Sequence, residues 1–338
     1  MPLSLSAATG AAKLAMTASS SAKRSAKTPK FTIRYSGQSD VGLVREGNED
    51  SLLAHPAREL FVVADGMGGH NSGEVASQFA VEAMQAFYDS DDITKRVKRA
   101  HREAVKRLPK SARDPSYHAL RLRKATESAN LSVFRLSQEH EALRDMGTTI
   151  VACAFAGSRL YVANVGDSRV YRLRGKKLVQ LTEDHSLVNE YVKMNMLRPE
   201  DVESFPYKNV IVRAVGLHER VTVDITWTAV REGDQILLCS DGLTDLIKDA
   251  ELADVLNSES SIDDKTNALV ERAKDAGGHD NITALLLELL PYDAQAEEQP
   301  LLRCPQLRDE SEPTQAPTSG PPSAPPPPGP APVSAESD

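Results

Sequence analysis

Four aspartates in this chain stand at the ends of short apolar runs. Phe61-Val62-Val63-Ala64 leads into Asp65-Gly66, and Tyr161-Val162-Ala163-Asn164-Val165 leads into Gly166-Asp167. Ile236-Leu237-Leu238-Cys239 leads into Ser240-Asp241-Gly242, and Asp280 stands just ahead of the run from Ile282 to Leu290. Glu49-Asp50 is a further acidic pair. An apolar run of this length reads as a buried strand, and a carboxylate at its end is held rigidly toward a loop. Any one Asp-Gly pair alone is an ordinary turn. Gathered together, the carboxylates would raise each other's pKa and need counter-charge. Carboxylates, carbonyls and water suit Mg²⁺ or Mn²⁺, whereas zinc would want His or Cys. Gly66 lets backbone approach closely, so its carbonyl can serve as a ligand. Arg45 can grip a phosphate through paired hydrogen bonds. Beside a carboxylate–metal cluster it becomes a phosphate clamp.

The elements that must position these groups occupy about residues 31–290, the size of one large domain. Residues 1–30 are Ala/Ser-rich and carry five basic side chains and no acid. Their character is that of a disordered arm, with some likeness to a transit peptide. Residues 291–338 hold 13 of the chain's 20 prolines and a net charge of −6, which reads as an acidic disordered tail. Overall net charge is −8, so no nucleic-acid partner is expected. No apolar stretch reaches transmembrane length, and a cytoplasmic protein is expected. Cys153, Cys239 and Cys304 lie far apart without a CxxC pair, so neither zinc nor a disulfide framework is indicated.

Strands are predicted near 31–35, 51–54, 60–64, 148–155, 160–165, 170–173, 221–228, 235–239 and 283–289. Helices are predicted over about 72–88, 92–108, 117–139, 187–194, 250–257 and 263–276. In the first helix, Val75, Phe79, Ala83 and Phe87 recur four apart and mark its expected buried face. Strand clusters separated by helix pairs indicate an α+β domain with mainly antiparallel sheet. The region from Lys95 to Arg113 carries nine Lys and Arg side chains. It reads either as a solvated helix face or as a docking surface for an acidic partner or for the chain's own tail.

The chain resembles the bacterial form of the type 2C metal-dependent protein phosphatases. The matching stretches begin with Ser39-Asp40-Val41-Gly42, Arg45 and Asn48-Glu49-Asp50, then Val63-Ala64-Asp65-Gly66-Met67-Gly68-Gly69-His70. Met146-Gly147-Thr148-Thr149, Asn164-Val165-Gly166-Asp167-Ser168-Arg169 and Leu181-Thr182-Glu183-Asp184-His185-Ser186 follow. The set closes with residues 209–216, Ser240-Asp241-Gly242-Leu243 and Gly278-His279-Asp280-Asn281. Each match is modest alone; the ordered set is specific and spans about residues 31–290.

The resemblance implies a β-sandwich of two antiparallel sheets flanked by helix pairs, with a flap at about residues 184–215. It implies hydrolysis of phosphoserine and phosphothreonine in proteins, with serine/threonine kinases or their substrates among the partners. The implied cofactors are two Mn²⁺ or Mg²⁺ ions, with a third weaker site. Asp65 would bridge both metals and Gly66 would give a carbonyl to one. Asp241 and Asp280 would bind the other, Glu49 and Asp50 would act through water, and Asp167 would join Asp241 at the third. Arg45 would bind phosphate, and a hydroxide held between the metals would attack phosphorus. Animal members often carry a histidine directly after Asp-Gly, where this chain has Met67. A metal-bound water is therefore the first candidate for the general acid and His70 the second. A monomer without membrane association is expected. A catalytically dead binding module and a hydrolase of small phosphate esters or nucleotides stay open. The lack of a GxxxxGK[ST] loop disfavours a nucleoside triphosphatase.

Overall fold

The computed structural model describes residues 31–68, 72–107, 116–207, 209–293, 295–296 and 299–304. The described residues open with β1 (Phe31–Asp40), β2 (Asp50–His55) and β3 (Leu60–Met67), followed by α1 (Ser72–Asp89), α2 (Asp91–Arg107) and α3 (Tyr117–Glu139). Next come β4 (Gly147–Thr148), β5 (Ile150–Ala156), β6 (Arg159–Val165), β7 (Arg169–Arg174), β8 (Lys177–Gln180) and the short α4 (Leu187–Lys193). The remainder is β9 (Asp224–Ala229), β10 (Gln235–Cys239), α5 (Asp241–Thr244), α6 (Asp249–Asn257), α7 (Ile262–Asp275), β11 (Ile282–Pro291) and β12 (Leu302–Cys304).

One sheet runs β1-β11-β10-β7-β8 and the other β12-β2-β3-β5-β6-β9, with β4 added to β3. All the strand pairs within them are antiparallel. The sheets pack face to face over Tyr35, Phe61, Phe155, Val162, Ile236 and Leu287. Rings of Phe31, Phe155, Phe61 and Tyr35 meet edge to face through this layer, with centroids 5.7–5.9 Å apart. α1 and α3 cover the outer face of the second sheet, and α5, α6 and α7 cover that of the first. The fold is therefore the α+β sandwich with flanking helices that the resemblance implied.

Both faces of the central strands are covered, which is why they read as continuous apolar runs. All of β2 and residues 60–64 of β3 are buried. Each fully buried Leu or Phe there contributes about 1.5–3 kcal/mol.

Two expectations need correction. The buried face of α1 is not the Val75–Phe79–Ala83–Phe87 stripe. It is built from Gly73, Ala76, Ser77, Ala80, Met84, Phe87 and Tyr88, while Phe79 is exposed. Small side chains at the start of α1 let the helix lie close on the sheet, where Ser77 Oγ meets Ser51 Oγ at 2.9 Å. Residues 302–304 are not tail but sheet: Leu302 pairs with Ala54 and Cys304 with Leu52. The Gln299 side chain also accepts a hydrogen bond from Tyr35 N at 2.8 Å, capping the open edge of β1.

Candidate active site

Antiparallel registers bring the predicted acids to one end of the sandwich. Asp50 opens β2 directly opposite Asp65 near the end of β3. β5 starts beside the end of β6, so Gly166-Asp167 lies at the same end. In the facing sheet, Cys239 at the end of β10 pairs with Ala284 near the start of β11, placing Asp241 beside Asp280. Asp40 closes β1 against Ile282 at that end too. The two sheets are tied here by Ser240, whose hydroxyl donates to Asp50 Oδ2 at 2.8 Å and accepts from Thr283 N at 2.9 Å.

Asp65 is held through its backbone. Its N–H donates to Thr149 Oγ1 at 2.9 Å, and its carbonyl accepts from Thr148 Oγ1 at 2.8 Å and Thr149 N at 2.8 Å. Gly66 lies where no side chain fits: a Cβ there would stand 2.1 Å from Gly73 O and 2.6 Å from Glu49 O. A Cβ on Gly73 would in turn stand 2.5 Å from the Glu49 carboxyl. The end of β3, the start of α1 and Glu49 are thus pressed together.

The acids repel one another. Burial first, then the charges of Asp50, Asp241 and Asp167, holds the Asp65 carboxyl well above its ordinary range. Burial first, then neighbouring carboxylates, likewise raises Asp50 to about 7, Asp167 to about 8 and Asp241 to about 6. Burial raises Glu49 too, against the opposing charge of Arg45. Asp65 and Asp241 lie close enough to share a hydrogen bond. Among the described residues, Asp50 Oδ1, Asp167 Oδ1 and Asp241 Oδ1 are buried without a hydrogen-bond partner. Buried carboxylate oxygens without donors call for an ion.

The donor set, oxygen throughout, fits a hard divalent cation. Still, among the described residues no three His, Cys, Asp or Glu side chains converge as a finished metal cage. One reason is visible. Asp280 turns Oδ2 to Arg45 Nη2 at 2.8 Å and accepts from Asn281 N at 2.9 Å through Oδ1. A cation would have to draw Asp280 away from Arg45. The orphaned oxygens and the mutual repulsion outweigh the incomplete cage, because a partly exposed ion pair is easily exchanged.

Two residues to which the sequence alone assigns no role carry the site. Asn281 accepts from Glu49 N at 2.8 Å and donates to Val41 O at 3.0 Å and Gly47 O at 2.9 Å, so it shapes the loop that presents Arg45 and Glu49. His185 is buried and accepts from Gly166 N through Nδ1 at 3.0 Å. That bond places the proton on Nε2, which donates to Asp224 Oδ2 at 3.1 Å. His185 thereby fixes the Gly166-Asp167 turn to the segment expected as the flap. Burial lowers its pKa, which favours this neutral form. Both residues lay inside the quoted motifs; only tertiary contacts reveal what they hold.

Further along that segment, Asn209 Nδ2 donates to Asp245 Oδ2 at 2.8 Å, and Met194, Met196 and Tyr207 are exposed. His70 lies outside the described residues, as do residues 1–30, residues 305–338 and the end of the basic region beyond Arg107. No described helix is long and apolar enough to cross a membrane.

A family model for protein phosphatase 2C matches residues 45–286, which take in the Arg45 loop and the acids gathered here. The chain belongs to the protein phosphatase 2C family. It is similar to the serine/threonine phosphatase stp of Listeria welshimeri, 37% identical over 254 residues that cover 74% of this chain and 94% of that protein. The protein phosphatase PhpP of Streptococcus pneumoniae is 36% identical over 259 residues, covering 76% of this chain and 97% of that one. Among solved structures, the Mycobacterium tuberculosis phosphatase PstP/Ppp aligns with a TM-score of 0.66 at 34% identity, over 76% of this chain and 99% of that one. The PstP catalytic domain solved with two manganese ions aligns with a TM-score of 0.63 at 33% identity, over 76% and 98% of the two chains. As a protein phosphatase 2C, the chain is an enzyme, which removes the binding-module alternative at the level of the family.

Proposed function

We propose that this protein phosphatase hydrolyses phosphoserine and phosphothreonine in proteins in a metal-dependent reaction at the acidic end of the sandwich. The observation that carries this reading is the set of three buried carboxylate oxygens without donors, on Asp50, Asp167 and Asp241, beside Asp65. Two Mn²⁺ or Mg²⁺ ions would be held there. Asp65, the Gly66 carbonyl, Asp241 and Asp280 would hold them. Glu49 and Asp50 would act through water, and Asp167 with Asp241 would hold a third ion. Metal ions held by these residues would supply Lewis acidity, which makes a water nucleophile available near neutral pH.

The chain's own groups do the rest. Arg45 carries a fixed positive charge and already points at the acids, through Asp280 and the fields of Glu49 and Asp65. Released from Asp280, it would grip two phosphoryl oxygens and hold phosphorus for in-line attack. The buried floor at Asp50 and Ser240 keeps bulk water from screening these charges. The leaving alkoxide would take its proton from water in the site, with His70 as the second candidate. Phosphoproteins made by serine/threonine kinases are the proposed partners, and a monomer in the cytoplasm is the proposed state.

Arg45→Ala tests the phosphate role. On a phosphothreonine peptide it should raise KM by about tenfold or more, with a smaller effect on kcat. Thermal stability should barely move, because the Arg45–Asp280 pair is partly exposed. An unchanged KM would remove Arg45 from substrate binding.

A further inference from the structure

A basic cavity lies away from the acidic site, where α2 meets the start of α3. Its volume is about 300 Å³, and it is lined by Lys95, Lys98, His101, Arg102 and Tyr117. Among the described residues, Lys98 and Arg102 make no ion pair, and Lys95 has only Asp92 at 3.9 Å. Lys98 Nζ sits 5.7 Å from the centre of the Tyr117 ring. The Tyr117 hydroxyl is buried and has no hydrogen-bond partner among the described residues. A buried phenol without a partner calls for one.

The surroundings confirm an excess of positive charge. His118 is pushed down first by burial, then by the charges of Arg121, Lys98 and His101. The position is fixed by the sheet beneath. Ser116 Oγ donates to Tyr161 Oη at 2.7 Å, and the His118 ring stacks on the Tyr161 ring at 5.9 Å. Tyr161 lies four residues before the end of β6 at Val165, roughly 13 Å at strand rise, and the turn that carries Asp167 follows.

A dianionic phosphoryl group matches these walls. Lysine and arginine supply charge-assisted donors, and a phenol O–H adds a neutral one. The volume admits a phosphoryl group on one side chain, not a folded segment. We infer that the α2–α3 cavity is a second phosphate-recognition site, which holds another phosphorylated side chain of a protein substrate while the first is cleaved. This rests on the proposed action on phosphoproteins. It turns the basic face of α2 from a solvated surface into a reader of multiply phosphorylated substrates.

The test uses the full chain and three peptides. All carry one phosphothreonine. One adds a non-hydrolysable phosphonate analogue about six to eight residues away, an extended length of about 20–28 Å that exceeds the strand between the two ends. One carries aspartate there instead. The phosphonate peptide should show a KM about fivefold lower than the other two, with kcat unchanged. Lys98→Gln with Arg102→Gln should erase that advantage and leave the singly phosphorylated peptide unaffected. Tyr117→Phe, which keeps the ring, should weaken it. Inorganic phosphate titrated into the protein should shift the Tyr117 and His118 ring resonances.

Equal KM for the three peptides, an aspartate peptide as good as the phosphonate, or an advantage that survives the double variant would overturn the inference. If no peptide were hydrolysed while inorganic phosphate still shifted Tyr117, the phosphatase reading would fail and the anion site would stand.

Discussion

Asp241→Asn should lower turnover of a phosphothreonine peptide by about a hundredfold or more while making the metal-free protein more stable. The two signs follow from one geometry. Asp241 lies close to Asp65, and one of its oxygens is buried with no donor among the described residues. A carboxylate there adds charge to a group of acids already crowded by Asp50 and Asp167. An amide removes that charge and can donate to Asp65, which a carboxylate cannot. Relief of like-charge burial should stabilise by about 1–3 kcal/mol, a rise in Tm of about 2–4 °C per kcal/mol for a domain of this size. Catalysis suffers because an amide is a poor ligand for a hard cation. Melting in chelator and kinetics in Mn²⁺ read the two effects separately. Loss of both activity and stability would instead mark Asp241 as a structural group.

Stability of the metal-free protein should fall as pH rises from about 4 to about 8. Asp50, Asp65, Asp167 and Asp241 all hold protons more tightly when folded than in an unfolded chain, where aspartate titrates near about 3.9. Their stabilising contribution is full below that value. It is lost as pH passes the folded values, about 6 for Asp241, about 7 for Asp50 and about 8 for Asp167. The four groups repel one another, so their shifts do not add, and the loss over this window should lower Tm by about 5–10 °C. Asp224 behaves oppositely: despite burial, His185 and Arg213 hold it low, and its contribution is lost only in acid. Mn²⁺ added at the alkaline end should restore the lost stability, because it neutralises the same carboxylates. A Tm in chelator that climbs steadily from about pH 4 to about pH 8 would show that these acids are not crowded in solution.

The strands were legible because sequence and burial agree along them. Phe61 to Ala64 and Ile236 to Cys239 are buried on both faces, so each appears as an unbroken apolar run. Helix faces were less legible. Spacing alone favoured Val75, Phe79, Ala83 and Phe87, but close packing on the sheet selected the small residues Gly73, Ala76, Ser77 and Ala80. A pattern of large apolar residues cannot show where small ones allow approach. β12 was invisible for a related reason: three residues in a proline-rich stretch carry no period, and only the open edge of β2 gives them a partner.

At the site, Asp65, Asp167, Asp241 and Asp280 could be named because each lies at or beside the end of a strand. Asn281 and His185 could not be assigned work that way. Their hydrogen bonds reach Val41, Gly47, Gly166 and Asp224, contacts that no local pattern encodes. The ion pair of Arg45 with Asp280 was also unforeseen. It joins the proposed phosphate clamp to a proposed metal ligand, so loading the site and binding substrate should be coupled.

The most direct measurement is phosphate release from a phosphothreonine peptide by the purified full chain, first stripped with chelator and then titrated with Mn²⁺. Activity should be at background in chelator and should return on addition of Mn²⁺. Vigorous hydrolysis that persists in chelator would contradict the assignment of the acidic end of the sandwich as a metal-dependent catalytic site.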